Sequence, residues 1–336
     1  MVAGSTAVQL GIVVATVLGL WIGARLLVDS VVRLARRAGL SELTIGLTIV
    51  AAGTSTPELV VTADAALNGL GDIAVANVLG SNVYNLAFIL GVVALFRAIP
   101  IAETLVRRDG VVLLASTLVG GAVLFDLTVT RLEGGVLLGL FLAYTTYLLW
   151  TERGGAAETA SNGGTDGTDG TDGTDTVSAV TRDVTARLSF PGRDVAFLIA
   201  GLAVVIVSGD LLVQAASTLA RGAGISEWVI GGTIVAAGTS TPEFAVSLVA
   251  IRRGSLGVSV GNVVGSNVFN VLGVMGVGAL LSPLAVSPTA LETLGWLLVV
   301  SAVMVAALWT GRVLSRVEGA LFAGSEVVRW TLGLLG

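Results

Sequence analysis

The chain is written twice, and that constrains its fold more than any other feature. SELTIGLTIVAAGTSTPELVV at 41–61 returns as SEWVIGGTIVAAGTSTPEFAV at 226–246, and ANVLGSNVYN at 76–85 returns as GNVVGSNVFN at 261–270. The offset is 185 residues throughout, and 29 of 54 positions are identical between 38–91 and 223–276 without a gap. TRLEGGVLL (130–138) and SRVEGALFA (315–323) keep the same offset towards the ends of the two copies. Self-similarity of this length means two structurally equivalent units.

Whether the two copies run parallel or inverted depends on how often each crosses a bilayer. The chain is 54% hydrophobic and 12% charged, about half the charge of a soluble domain. Runs of ~20 apolar residues predict ten spans: 5–28, 44–67, 73–96, 109–125, 133–150, 194–214, 228–250, 256–281, 289–310 and 316–336. The first has neither a basic leader nor a small-residue cleavage site, so it reads as a retained span. The last is the least regular, interrupted by Glu326 and Arg329. Residues 151–193 are polar and carry SNGGTDGTDGTDGTDT, the composition of a solvated linker. Its aspartates lack EF-hand spacing and a closing bidentate Glu, so they read as solubilising charge. The expected architecture is therefore an all-α integral membrane protein: a five-helix repeat over 1–150, an acidic linker over 151–193, and a second five-helix repeat over 194–336. Five is odd, so the second repeat crosses in the opposite sense to the first. Inverted repeats are a common architecture of secondary transporters, with the site at the repeat interface near the midplane.

Arginine placement orients the chain. With the N-terminus outside, Arg25, Arg33, Arg36, Arg37, Arg97, Arg107, Arg108, Arg153, Arg182, Arg187, Arg193, Arg252, Arg253, Arg312 and Arg316 fall on the cytoplasmic side. Arg131 and Arg221 fall outside, and Arg329 lies within the last span. Cytoplasmic loops carry the positive excess, so both termini are expected outside and the linker inside, in a cell membrane.

The chemistry that remains is narrow. Without Cys or His, zinc, haem and iron–sulfur sites and Ser-His-Asp or Cys-based catalysis are excluded, and a bound metal must be held by oxygen. A net charge of −5 offers no footprint for nucleic acid.

Each repeat places a GTSTPE run, Gly53 to Glu58 and Gly238 to Glu243, inside an apolar span. Proline removes a backbone donor and frees the carbonyl four residues earlier, here Gly53 and Gly238. Ala51, Thr54, Ser55 and Glu58 share one helical face. Ser81 and Asn85, like Ser266 and Asn270, are four apart on the following span. Two such sets facing one another make a pocket of hydroxyls, amides, carbonyls and two carboxylates suited to a hard cation. Small residues and prolines alone would be explained by close helix packing. Two carboxylates at mid-span, each costing about 3 kcal/mol, are not. Asp29, Asp64 and Asp210 lie nearer span ends and read as ordinary pairing or snorkelling.

The paired GTSTPE and GSN-x-x-N motifs resemble the two alpha-repeats of the sodium/calcium exchangers within the cation/calcium antiporters, over essentially all ten spans. That resemblance implies exchange of sodium for calcium by alternating access, without cofactor or enzymatic activity. It implies that Glu58 and Glu243 ligate calcium and also serve sodium, with the backbone carbonyls of Thr54 and Thr239 completing the calcium site. Ala51, Ser55, Ala236 and Ser240 would flank it in sodium sites completed by Ser81 and Ser266, with Asn85 and Asn270 central. The family often has Leu at the positions of Thr56 and Thr241, off the ligand face. Prokaryotic relatives often have Asp at the position of Asn270, and Asn at both central positions argues against potassium dependence. Proton/calcium exchange and a passive cation channel are the alternatives, separated from this reading by the counter-ion.

Overall fold

The computed structural model describes residues 5–38, 40–100, 105–162, 191–222, 236–311 and 313–335. In the first half, α1 is Thr6–Ala38, α2 Glu42–Thr54, α3 Thr56–Leu67, α4 Gly71–Phe96, α5 Gly110–Val123 and α6 Arg131–Asn162. In the second, α7 is Pro191–Gly222, α8 Ala236–Thr239, α9 Thr241–Arg252, α10 Leu256–Leu281, α11 Thr289–Gly311 and α12 Arg316–Leu335. Among the described residues six helices are long and apolar enough to cross a membrane, and α2 with α3 makes a seventh span bent by 47°.

Several expected boundaries move. The first span continues to Ala38 rather than 28, because the arginines that follow residue 28 are still helical. Helix α6 continues past 150 to Asn162 and α7 begins at Pro191, so the expected linker is helical at both edges; residues 163–190 of it lie outside the described residues. So does 228–235, the start of the seventh expected span. The last span is one uninterrupted helix. Its carboxylate is neutralised on its own helix: Glu326, 1% exposed, pairs with Arg329 one turn on.

The fold carries the two-fold relation into backbone detail. Strand β1 (Ile99–Pro100) pairs with β4 (Val313–Leu314), and β2 (Thr128–Val129) with β3 (Leu284–Ala285), both antiparallel. The registers are Ile99↔Leu314 and Pro100↔Val313 in one ladder, Val129↔Leu284 and Thr128↔Ala285 in the other. Adding or subtracting 185 turns either ladder into the other, so each strand pairs with the opposite half. The conserved offset of TRLE and SRVE has a local cause. Thr130 and Glu133 exchange hydrogen bonds of 2.8 and 3.3 Å, and Ser315 and Glu318 bonds of 2.8 and 3.2 Å. Each is a capping box that starts a helix directly after a strand.

Helices α4 and α10 form the centre and are buried on nearly every side, while α1, α6 and α7 expose apolar side chains such as Leu18, Ile22, Leu142 and Ile199 outwards. Small residues bring helix backbones together, as expected where lipid offers no hydrophobic drive. A Cβ on Gly201 of α7 would lie 2.8 Å from the Leu27 nitrogen of α1, and one on Gly265 of α10 only 2.5 Å from the Leu47 carbonyl of α2.

Charges separate to the two ends. One end holds β1·β4, Arg33 and Arg37 on Asp194 (both 2.8 Å), Arg253 on Asp29 (3.2 Å), Arg252 over the Phe96 ring, and Arg316 donating to the Phe96 carbonyl. The other holds β2·β3, Asp72 accepting from the Ser287 amide and hydroxyl (2.7 and 2.8 Å), and Arg131 donating to the Leu281 carbonyl.

Candidate cation site at the repeat interface

The second span does not survive its proline as one helix. Amide-to-carbonyl bonding runs to Ser55 N–Ala51 O and resumes at Leu59 N–Ser55 O. Ser55 (φ −82°, ψ 15°) and Ser240 (φ −89°, ψ 10°) are the non-helical residues at the two breaks. In the gap, the Gly53 carbonyl is not turned over to a ligand, as proline alone would suggest. The Thr56 hydroxyl donates to it at 2.7 Å; at the second break the Thr241 hydroxyl donates one residue earlier, to the Ala237 carbonyl at 3.1 Å. At the first break the Thr56 hydroxyl replaces the amide that Pro57 lacks. Thr56, off the ligand face, thus stabilises the first break itself.

The two breaks are tied across the interface by each other's carboxylates. Ser55 Oγ donates to Glu243 Oε1 at 2.7 Å, and Ser240 Oγ donates to Glu58 Oε1 at 3.0 Å. Ser266 Oγ adds a longer bond of 3.4 Å to Glu243 Oε1. Both glutamates are fully buried. Among the described residues the remaining oxygen of each, Oε2, has no hydrogen-bonding partner, and neither do Oδ1 and Nδ2 of Asn85 and Asn270. Buried polar atoms left open in this way cost about 1–3 kcal/mol each, more when charged. A bound cation would satisfy the carboxylate and amide oxygens.

Asn85 and Asn270 lie in equivalent wide π-turns, Tyr84–Ile89 in α4 and Phe269–Val274 in α10. An inserted residue of this kind re-aims side chains and recurs at functional sites. Ser81 and Ser266 sit one turn earlier, 2% and 0% exposed. The Thr54 hydroxyl is occupied: it donates to Asn262 Oδ1 at 3.0 Å and to the Ala51 carbonyl at 3.3 Å. Ala51 and Ala236 begin the short helical turns that end at Thr54 and Thr239. The structure therefore gathers the predicted residues at the two crossed breaks and on the two central helices that follow them.

Residue-type reasoning passed over a supporting layer. Asn77 Nδ2 donates to the Glu58 carbonyl and Thr62 Oγ1 (both 3.0 Å). Its equivalent Asn262 donates to the Glu243 carbonyl (3.3 Å) and Ser247 Oγ (3.0 Å). Asn82 Nδ2 donates to the Asn267 carbonyl at 3.0 Å, joining α4 to α10, while Asn267 Nδ2 turns back to Val263. All four asparagines were visible in the repeated ANVLGSN and GNVVGSN runs. Identity at the offset marked them, although no ligand chemistry did. Among the described residues no three acidic side chains form a cluster, so the site has two carboxylates and otherwise neutral oxygens.

Comparison with known proteins agrees with this geometry. The family model described as sodium/calcium exchanger protein matches residues 8–150 and 194–325, that is, both repeats and not the linker. The chain belongs to the sodium/calcium exchanger family. It is 34% identical over 295 residues to a putative antiporter, CaxA, of Alkalimonas amylolytica, covering 86% of each chain. It is 30% identical over 323 residues to the sodium/calcium exchanger MaX1 of Methanosarcina acetivorans, covering 89% of this chain and 91% of that one. Its fold matches a solved structure of the sodium-calcium exchanger NCX_Mj with a TM-score of 0.78 at 26% identity, over 96% of this chain and 98% of the other. As a member of this family the chain is a multi-pass membrane antiporter of the cation/calcium class.

Proposed function

We propose that this exchanger moves calcium against sodium by alternating access, with both ions served by the site at the crossed breaks. The observation that carries this reading is the reciprocal pairing of Ser55 with Glu243 and Ser240 with Glu58, with Oε2 of each glutamate unpartnered among the described residues. The two carboxylates sit at equivalent points of opposed repeats, so a motion that exchanges the conformations of the two halves carries the site from one face to the other. Glu58 and Glu243 ligate calcium together with the carbonyls of Thr54 and Thr239. Ser55, Ser240, Ser81 and Ser266, with Ala51 and Ala236, form flanking sodium positions, and Asn85 and Asn270 face the centre as neutral ligands.

Two glutamates give the pocket a formal charge of −2, which one calcium or two sodium ions neutralise. A third sodium leaves one net positive charge, costly in low dielectric, yet the four serines supply oxygens beyond the central pocket. The reading here is three sodium ions per calcium and an electrogenic cycle. The gathering of arginines around β1·β4 supports an orientation with that end cytoplasmic, the linker inside and the termini outside.

Calcium uptake into proteoliposomes with an imposed sodium gradient tests the function. Uptake that follows sodium, is sped by clamping the voltage at zero, and is lost in Glu58→Gln and Glu243→Gln is the expected result. Uptake driven by a pH gradient alone, or unaltered in either variant, refutes the reading.

A further inference from the structure

The two halves match in sequence and ladders but not in how their outer helices meet the site. Val246 of α9 is fully buried in a cluster with Leu20, Ala24 and Val28 of α1, so that junction is closed. Its equivalent Val61 on α3 is only partly buried, and the neighbouring Val60 is 61% exposed. Between α3 and α7 lies a cavity of about 300 Å³, lined by Thr56, Pro57 and Val61 on one side and Gly209, Asp210 and Thr239 on the other. It touches both proline breaks, reaching Pro57 of the first and Gly238, Thr239 and Pro242 of the second. The one charged group in its lining is Asp210. That side chain is exposed, with Oδ2 accepting from Gln214 Nε2 at 2.9 Å on its own helix.

Asp210 stands where the first repeat has Arg25: ARLLV at 24–28 aligns with GDLLV at 209–213. Arg25 is likewise exposed, with its guanidinium 5.6 Å from the centre of the Trp21 ring. The equivalent positions beside the open and the closed junction therefore carry opposite charges. An acidic group in a narrow mouth with apolar walls raises the local concentration of cations, and a basic group lowers it.

We propose that Asp210 is the cation-capturing carboxylate of one entrance to the site, and that Arg25 gives the opposite entrance the reverse charge, so that calcium and sodium are captured unequally at the two faces. Asp210 is thus a positioning residue for hydrated cations in transit and does not ligate the transported ion at the glutamates. This rests on the exchange reading above and adds a sidedness to it. With α3 and α7 running towards the β2·β3 end, the open cavity belongs to the face that carries the termini.

The test uses the full chain in proteoliposomes sorted by orientation, with sodium-driven calcium flux measured from each face at several ionic strengths. Asp210→Asn is expected to raise the half-saturating calcium at the cavity's face by about 3–10-fold at low salt and by much less at high salt, where the Debye length falls to ~3 Å at 1 M. The maximal rate and the half-saturation at the other face should stay unchanged, and Asp210→Glu should restore wild-type capture. Arg25→Gln should lower half-saturation at the opposite face only. A shift equal at both faces, a shift insensitive to salt, or no shift overturns the proposal. Wild-type protein without sodium-driven flux would instead refute the exchange reading.

Discussion

Asn262→Ala removes three buried hydrogen bonds beside the site. Asn262 is fully buried and makes three hydrogen bonds, to the Thr54 hydroxyl (3.0 Å), the Glu243 carbonyl (3.3 Å) and the Ser247 hydroxyl (3.0 Å). Interhelical hydrogen bonds in membrane proteins average about 0.6 kcal/mol and reach about 1.7. Three of them therefore amount to roughly 2–5 kcal/mol, the upper end applying because each partner is left buried and unsatisfied. The loss spans both repeats, since Thr54 belongs to the first and Glu243 to the second. The measurement is a denaturant titration of purified protein in detergent, followed by tryptophan fluorescence, with Val303→Ala as control. Val303 is 52% exposed on the lipid-facing side of α11, and its truncation should cost no more than about 0.5 kcal/mol. Calcium exchange should fall in parallel for Asn262→Ala, because the Glu243 backbone loses its anchor. An Asn262→Ala protein as stable as the control would refute the claim that this asparagine holds the second break in place.

Three further outcomes are expected. Gly265→Ala pushes a methyl to within 2.5 Å of the Leu47 carbonyl, and should destabilise the protein by about 1–3 kcal/mol in the same titration while slowing exchange. Glu326→Gln leaves Arg329 without its partner and should cost about 1–3 kcal/mol, with Glu326→Gln/Arg329→Gln closer to wild type in thermal unfolding. Since the chain has no cysteine, Thr168→Cys offers a unique thiol in the linker, and an impermeant maleimide should label it only in inverted vesicles.

The duplicated motifs made the architecture and most of the candidate site legible, because a mid-span carboxylate is costly enough to need a reason and a second copy at a fixed offset supplies it. Glu58, Glu243, Ser55 and Ser240 could be named from that logic alone. Their pairing could not: which serine meets which glutamate depends on how the repeats cross, and in the folded chain Ser55 meets Glu243 and Ser240 meets Glu58. The role of Thr56 was missed for a related reason. A helical wheel puts it off the ligand face, while its hydroxyl acts along the axis on Gly53. Asp210 was read as ordinary because a lone carboxylate towards a span end has many bland explanations. Its meaning emerges from the cavity beside it and from the opposite charge at its equivalent position.

The exchanged ladders also bear on how the chain is made. Strand β1 at Ile99–Pro100 has its partner at Val313–Leu314, more than two hundred residues later. At synthesis rates of 5–20 residues per second the first half waits roughly 10–40 s before that partner exists. During that interval its strand edges are unpaired, and Glu58 lacks the serine that the second half provides. Helix α12, which carries Glu326 and stacks Trp330 on Tyr84 of α4, likewise follows its partner by more than two hundred residues. Assembly is therefore a late closure in which the first half's final structure is completed by segments of the second half.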